Sequence, residues 1–322
     1  MELLEKLSRC DAPSGCEKPV IELIKEEIKD YADEITVDAL GNLIARKKGD
    51  GKKVMFAAHA DEIGVVVTYI DENGFLRFSK VGDPATGDIV GRCVRFENGV
   101  VGTIATEEDN EKRKGDKMYI DIGAANREMA ERCVSIGDMG AFVGGFYVQN
   151  GKVIAKAMDN RAGCYVLIEA IKQVKSNNDL YFVFTTQEEV GLRGARTAAY
   201  EIAPDYAISI DISDAGDIPG ARKTAVALDK GACIKVMDYS VIINREVREK
   251  LIEVAEKNGV KYQLEIMMDG GTDAGVMQFA RGGVKTGGIS IPTRYYHTPA
   301  EVISIDDLNA CTKLAVLFAE NI

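Results

Sequence analysis

Two histidines and a few acidic residues are the side chains of this sequence with the clearest capacity for chemistry. His59 and His297 are the only histidines among 322 residues, and Asp159, Glu188–Glu189 and Asp211 lie beside apolar runs. Imidazole and carboxylate groups are ligands of divalent transition metals. Two imidazoles with several carboxylates, each at the end of a separate predicted element, indicate a hydrolytic centre for two metal ions.

Three of these positions follow predicted strands directly. The apolar run 53–58 ends at His59, the run 180–187 precedes Glu188–Glu189, and the run 207–210 precedes Asp211. Ligand sites of open α/β sheets lie outside the carboxyl ends of the strands. We therefore expect these side chains at one rim of a sheet.

Each position also has a simpler interpretation that the residues alone leave open. Asp159 is a favoured helix N-cap, and Glu188–Glu189 could be a solvated turn. Asp61 could either orient His59 as a carboxylate partner or lie on the surface. Adjacent acids repel unless a cation or a shared proton offsets the charge, so a metal account makes one glutamate a ligand and the other a general base. Burial of Asp211 after an apolar run is costly without a partner.

The composition argues against several classes of partner. A formal net charge of −11 disfavours nucleic acid and anionic membranes, because both need a basic face on the protein. No apolar run approaches the roughly 20 residues that span a bilayer, and the first ten residues lack the pattern of a signal peptide. Seven scattered cysteines without a CxxC pair indicate reduced thiols and a cytoplasmic protein.

The chain is organised as an α/β domain with an insertion. Residues 1–65 and 155–322 alternate strands with helices, which predicts a catalytic α/β domain with a mostly parallel sheet. Residues 66–154 contain short strands separated by turns, which predicts an inserted β domain. Within it, the charged segment 107–117 is expected to be an exposed loop.

Six phrases of the sequence, in order along the chain, resemble the motifs of one family. They are HADEIG (59–64), MDNRAG (158–163), TTQEEVGLRGA (185–195), IDISDAGDIPG (210–220), DGGTDAG (269–275) and IPTRYYHTP (291–299). The sequence is similar over essentially its whole length to the tetrahedral (TET) aminopeptidases, a group of glutamyl-aminopeptidase-like dinuclear metallopeptidases. Members of this group often carry a cellulase or endoglucanase label.

The resemblance implies a role for each candidate residue. By this resemblance, five residues of the chain bind two metal ions, and Asp159 bridges the two. His59 and Asp211 complete one site, and Glu189 and His297 complete the other. It further implies that Glu188 is the general base and that Asp61 supports His59 as a second catalytic residue. Zinc and cobalt are the metals implied, and manganese is compatible with the same ligands.

The resemblance also implies a function and an assembly. The activity would be hydrolysis of N-terminal residues from short peptides, through a water that two metals activate and Glu188 deprotonates. The insertion would be a PDZ-like β domain used for oligomerisation, and the oligomer a tetrahedral dodecamer. The preferred N-terminal residue, the role of Arg294 and the role of the 269–275 turn stay open; the turn is expected to place Asp273 as the cap of a short helix.

Three rival functions have to be separated from this one. An N-acyl amino acid deacylase could use the same two-metal site. A glycoside hydrolase could use Glu188 and Asp211 as its carboxylate pair, but both histidines would then be idle and the chain has no tryptophan for sugar stacking. A non-enzymatic scaffold with structural metals would favour a closed cysteine-rich site instead.

Overall fold

A computed structural model of the chain describes residues 1–108 and 115–322; residues 109–114, within the predicted loop 107–117, lie outside these ranges. The helices are α1 (Glu2–Arg9), α2 (Lys18–Ile28), α3 (Arg127–Glu131), α4 (Met158–Gln173), α5 (Arg193–Ile202), α6 (Arg245–Lys257), α7 (Ala274–Met277) and α8 (Ile305–Asn321). The first nine strands are β1 (Glu34–Val37), β2 (Leu43–Lys47), β3 (Lys53–His59), β4 (Gly64–Ile70), β5 (Leu76–Val81), β6 (Cys93–Phe96), β7 (Val101–Thr106), β8 (Met118–Asp121) and β9 (Met139–Phe142). The remaining strands are β10 (Phe146–Gln149), β11 (Lys152–Ala155), β12 (Asp179–Thr185), β13 (Tyr206–Asp214), β14 (Ala232–Met237), β15 (Tyr262–Ile266), β16 (Lys285–Arg294) and β17 (Glu301–Ser304).

Four parallel strands form the centre of a large sheet. They are adjacent in the order β12, β3, β13, β16. Strand β3 is buried from Val54 to His59, as its unbroken apolar sequence predicts for a strand covered on both faces. Because these strands are parallel, their carboxyl ends meet at one rim, and His59 lies there opposite Thr185 of β12.

The sheet as a whole is mixed, so the prediction of a mostly parallel sheet holds for its centre and for the outlying pair β14–β15, but not for the rest. Strands β1 and β2 form an antiparallel hairpin at one edge, and β17, β11 and β10 extend the other edge with antiparallel pairing. Hairpin turns such as the one at Asn150–Gly151 are too short to reverse the chain twice, so the strands they connect can only be antiparallel.

Helices cover both faces of the sheet and bury its apolar residues. One face packs against α1, α2, α4, α6 and α8, with Phe56, Phe182 and Phe318 in that core. The other face packs against α5 and α7, around small residues such as Ala195 and Ala198. The α/β layers that the sequence predicts are therefore present.

The inserted segment forms a closed barrel of six antiparallel strands in the order β4, β5, β8, β7, β6, β9. Alternate residues such as Val65, Val67, Val94 and Phe142 fill its interior. The barrel strands run from residue 64 to residue 142, whereas the predicted insertion is 66–154. Strands β10 and β11 belong to the large sheet instead, because β11 pairs with β17. A PDZ-like architecture is not confirmed; the observed unit is the six-stranded barrel.

Two further features concern the cysteines and the apolar character of the helices. All seven cysteines lie in the described ranges and none forms a disulfide. Of the helices in those ranges, none combines the length and the apolar character that a bilayer crossing needs.

Candidate metal centre

His59 lies at the end of β3 and is 2% exposed. Its Nε2 atom is 3.0 Å from Asp159 Oδ1. The same nitrogen is 3.7 Å from Asp211 Oδ1 and 3.9 Å from Glu188 Oε2. Three carboxylates from α4, β13 and the loop after β12 thus converge on one imidazole, at the rim that the sequence predicts.

His297 approaches the same group of carboxylates from the segment between β16 and β17. Its Nε2 atom lies 3.4 Å from Asp159 Oδ2 and 3.4 Å from Glu189 Oε2. Asp159 therefore has one carboxylate oxygen near each histidine. All five residues predicted as ligands surround a single space.

The simpler interpretations of these acids are wrong. The side chains of Glu188 and Glu189 are 10% and 3% exposed, so they do not form a solvated turn. Asp159 lies inside the first turn of α4 and Ala157 is the N-cap residue; the Asp159 carboxylate faces the histidines instead. Asp211 is buried as well.

The chemistry of the donor set fits divalent cations. Two groups of three side chains each bring their ligand atoms within 4.8 Å of one another: His59, Asp159 and Glu189 form one group, and His59, Glu188 and Asp211 form the other. Glu189 Oε1 is buried and has no hydrogen-bond partner among the described residues. Buried acids of like charge are unfavourable without a compensating cation, and metal ions would supply that charge.

Burial of these acids also raises their affinity for protons. It raises the pKa of Glu188 well above its ordinary value, and it raises the pKa values of Glu189 and Asp211 to about 8. Burial alone would lower the pKa of His297, but its contact with Asp159 and the charge of Glu189 raise that pKa to about 10. These groups therefore hold protons more tightly than free acids do, and a metal ion bound to them would have to displace those protons.

Asp61 is completely buried and holds the backbone next to the catalytic glutamate candidate. Its carboxylate accepts hydrogen bonds from Ser14 Oγ (2.7 Å), Glu188 N (3.1 Å) and Glu189 N (3.2 Å). The Nδ1 atom of His59 is 3.2 Å from the carbonyl oxygen of Asp61 and 3.6 Å from its carboxylate. The surface interpretation of Asp61 is therefore wrong, and its main contacts are with the 188–189 backbone.

The structure defines the contacts of Arg294 and of Asp273. Arg294 donates to both carboxylate oxygens of Asp217, at 2.9 and 2.6 Å, outside the cavity. Asp273 is the N-cap residue of the short helix α7, as predicted, but its side chain makes no capping hydrogen bond. Its buried carboxylate instead accepts a hydrogen bond from Thr185 Oγ1 at 2.6 Å. Thr185 is the last residue of β12 and lies opposite His59.

The convergent residues open into a cavity of about 480 Å³. The 269–275 turn contributes to its wall, and the apolar lining includes Leu192, Ile212 and Met267. Asp83, from the inserted segment, also lines it. No local pattern in the sequence indicates that this segment reaches the site.

The candidate list from the sequence omits Glu301. This residue is 1% exposed and its carboxylate contacts the backbone of both Asp159 and His297. The one sequence feature that could have identified it is an acid directly before the mainly apolar stretch 302–305, four residues after His297. That spacing alone does not distinguish it from a surface acid at the start of a strand.

Comparisons with known proteins agree with this arrangement. The sequence profile of the M42 glutamyl aminopeptidase family matches residues 41–314. A relative from Acetivibrio thermocellus is 52% identical, over 98% of this chain and 97% of its own. The lysyl aminopeptidase of Pyrococcus furiosus is 36% identical, over 100% of this chain and 97% of its own.

A solved structure extends the agreement to the fold. The Pyrococcus horikoshii TET1 peptidase, which can assemble into a tetrahedron or a large octahedral shell, has a TM-score of 0.90 and 35% identity, covering 100% of this chain and 99% of that chain. The family resemblance seen in the motifs is thereby confirmed. Sequence, fold and the set of buried carboxylates and histidines together show that this chain belongs to the M42 glutamyl aminopeptidase family.

Proposed function

We propose that the chain is an aminopeptidase that uses two divalent metal ions to remove N-terminal residues from short peptides. The observation that carries this proposal is the position of Asp159, between His59 and His297 with one carboxylate oxygen near each. Asp211 beside His59 and Glu189 beside His297 would complete two ligand sets. Zinc or cobalt bound there would supply Lewis-acid polarisation of the scissile carbonyl and acidify the attacking water.

Glu188 is the proposed general base. Its carboxylate is buried beside the ligand sets, and its backbone N–H is held by Asp61. Burial raises its pKa well above the ordinary value for glutamate, and a raised pKa makes a carboxylate a stronger acceptor for the proton of the attacking water. It would accept a proton from the attacking water and pass it to the departing amine.

The cavity also supports a preference for the residue removed, which rests on the lack of basic side chains in its wall, because the two acids at its rim are themselves ion-paired with basic residues. Asp83 and Asp269 are at its rim, Leu192, Ile212 and Met267 form its apolar wall, and no Lys or Arg is among the described residues that line it. An acidic side chain of the substrate would therefore lose solvation in the cavity without gaining a cationic partner from its wall. We expect basic and apolar N-terminal residues to be preferred to acidic ones, as the name of the lysyl relative also suggests.

Assembly and location are parts of the same proposal. A homo-oligomer is supported by the TET1 peptidase, which forms closed shells, and a tetrahedral dodecamer is the expected form here. The six-stranded barrel is the proposed oligomerisation unit. The unpaired cysteines are consistent with a cytoplasmic location.

The test is hydrolysis of lysyl, leucyl and glutamyl p-nitroanilides by EDTA-stripped protein, before and after addition of zinc or cobalt. We expect metal-dependent release with lysyl and leucyl substrates well ahead of the glutamyl substrate. Faster cleavage of the glutamyl substrate would refute the preference but leave the activity intact. Absence of release with two metals bound, together with cleavage of N-acyl amino acids, would replace the aminopeptidase by a deacylase.

A further inference from the structure

Glu301 connects two segments of the candidate metal centre that are far apart in sequence. Its Oε2 atom accepts a hydrogen bond from the backbone N–H of Asp159 at 2.9 Å. Its Oε1 atom accepts one from the backbone N–H of His297, also at 2.9 Å. Both oxygens of one buried carboxylate are thus used to hold the main chain of two proposed ligands.

The main chain around these ligands needs such support. His297 has a φ angle of 59° and Tyr295 one of 62°, and Ala157 at the start of α4 has 54°. Residues other than glycine rarely adopt this left-handed conformation, and they keep it only where surrounding contacts enforce it. Glu301 provides one such contact for His297, and the N–H of Ala85 provides another by donating to the His297 carbonyl at 3.3 Å.

The location of Glu301 makes the contact rigid. It is the first residue of β17 and lies opposite Ala155 of β11 in the antiparallel register. Strand β11 leads directly into the residues that precede Asp159. The carboxylate therefore spans from one strand of the sheet edge to the start of α4 and to the loop before its own strand.

We propose that Glu301 is a positioning residue that sets the separation of Asp159 and His297 and thereby the affinity for the metal ion that these two residues share. The proposal rests on the metal sites of the proposed function. Glu301 itself would not touch the metal or the substrate. Its contribution is to remove the conformational freedom that the two ligand segments would otherwise have to lose when a metal binds.

The chain offers a matched control in Asp307. This buried carboxylate also accepts from two backbone N–H groups, those of Asp229 and Gly231, at 2.7 Å each. Neither of these partners lines the metal cavity. Loss of one acceptor should cost stability at both positions, but only Glu301 should alter metal binding.

The experiment is calorimetric titration of stripped protein with zinc, for the wild type, Glu301→Gln and Asp307→Asn. Glutamine has one acceptor oxygen and a donor in place of the other, so it cannot satisfy both N–H groups. We expect Glu301→Gln to lower the affinity for one of the two zinc ions by roughly 10- to 100-fold, the usual effect of losing a group that orients a ligand. Asp307→Asn should bind both ions as the wild type does, although both variants melt at a lower temperature.

Two zinc ions bound by Glu301→Gln with wild-type affinities would overturn the proposal. A wild-type protein that binds no zinc would instead refute the proposed function, so the two failures are distinguishable. If Glu301→Gln does not fold, Glu301→Asp gives the same decision. It keeps the charge but is one methylene shorter, so positioning predicts weaker binding of one ion, whereas wild-type affinity would reduce Glu301 to a source of charge and contradict the proposal.

Discussion

Asp159 lies between the two histidines of this protein, with Oδ1 3.0 Å from His59 Nε2 and Oδ2 3.4 Å from His297 Nε2. A single carboxylate therefore faces both halves of the candidate metal centre. Neither of the other two proposed carboxylate ligands has a comparable position, because, of the two histidines, Asp211 contacts only His59 and Glu189 contacts only His297. This asymmetry predicts different consequences for the loss of each group.

Replacement of His297 by alanine should remove one metal ion selectively. We expect metal analysis to give one zinc per subunit, because His59 and Asp211 remain in place. Asp159→Asn should weaken both sites, since an amide carries no charge and faces both histidines. Full occupancy of both sites in His297→Ala would break the ligand assignment.

Replacement of Glu188 by glutamine should separate binding from turnover. We expect both metals to be retained and kcat to fall by about 10²- to 10⁴-fold, the range for loss of a general base. Metal content and peptide hydrolysis are measured on the same preparation. Depletion of metal in this variant would make Glu188 a ligand and leave the role of general base without a candidate.

Metal removal should make stability depend on pH between pH 6 and pH 8. The pKa values of Glu189 and Asp211, raised by burial to about 8, lie above their ordinary values of 4.5 and 3.8. The stripped fold therefore holds protons that the unfolded chain has already released, and its stability falls as pH rises toward 8. The pKa of His297, raised to about 10 from 6.5, acts in the same direction, because the stabilisation from its folded-state proton is complete below pH 6.5 and declines as pH rises toward 10.

The measurement is thermal unfolding of stripped and zinc-loaded protein at pH 6, 7 and 8. We expect the melting temperature of the stripped protein to fall by a few degrees over this interval. Zinc competes with the same protons and binds more tightly as pH rises, so the loaded protein should show no such fall. A stripped protein that becomes more stable toward pH 8 would contradict the electrostatic account.

The barrel segment should influence the metal centre through Gly82. This residue has a φ angle of 74°, and a β-carbon added to it would lie 2.9 Å from Glu189 Oε2. Gly82→Ala should therefore displace Glu189, lower the zinc affinity and reduce hydrolysis. The left-handed backbone adds about 1–2 kcal/mol of strain for a residue with a side chain.

Gly123 is the control for that strain. It lies in the same inserted segment with a φ angle of 76°, and an added β-carbon would meet no atom within 4 Å among the described residues. Gly123→Ala should lower the melting temperature but leave zinc binding unchanged. Equal zinc affinities in the two variants would show that the barrel does not act on the centre.

The sequence by itself determined the types of the chemical groups and their order along the chain. Apolar runs that end in His59, Glu188 and Asp211 place these residues at the carboxyl ends of strands, since strand patterns are local and parallel strands end at a common rim. The existence of an inserted β segment was visible for the same reason. The motifs were also long enough to identify the family.

Only the tertiary structure decided how these groups meet. The contact of Glu301 with Asp159 joins residues 142 positions apart, and no local pattern encodes such a distance. The same holds for Asp61, whose carboxylate holds the 188–189 backbone, and for β11, whose short strand joins the large sheet by pairing with β17. Periodicity reports which face of an element is buried, whereas the partner across the interface depends on packing of the whole chain.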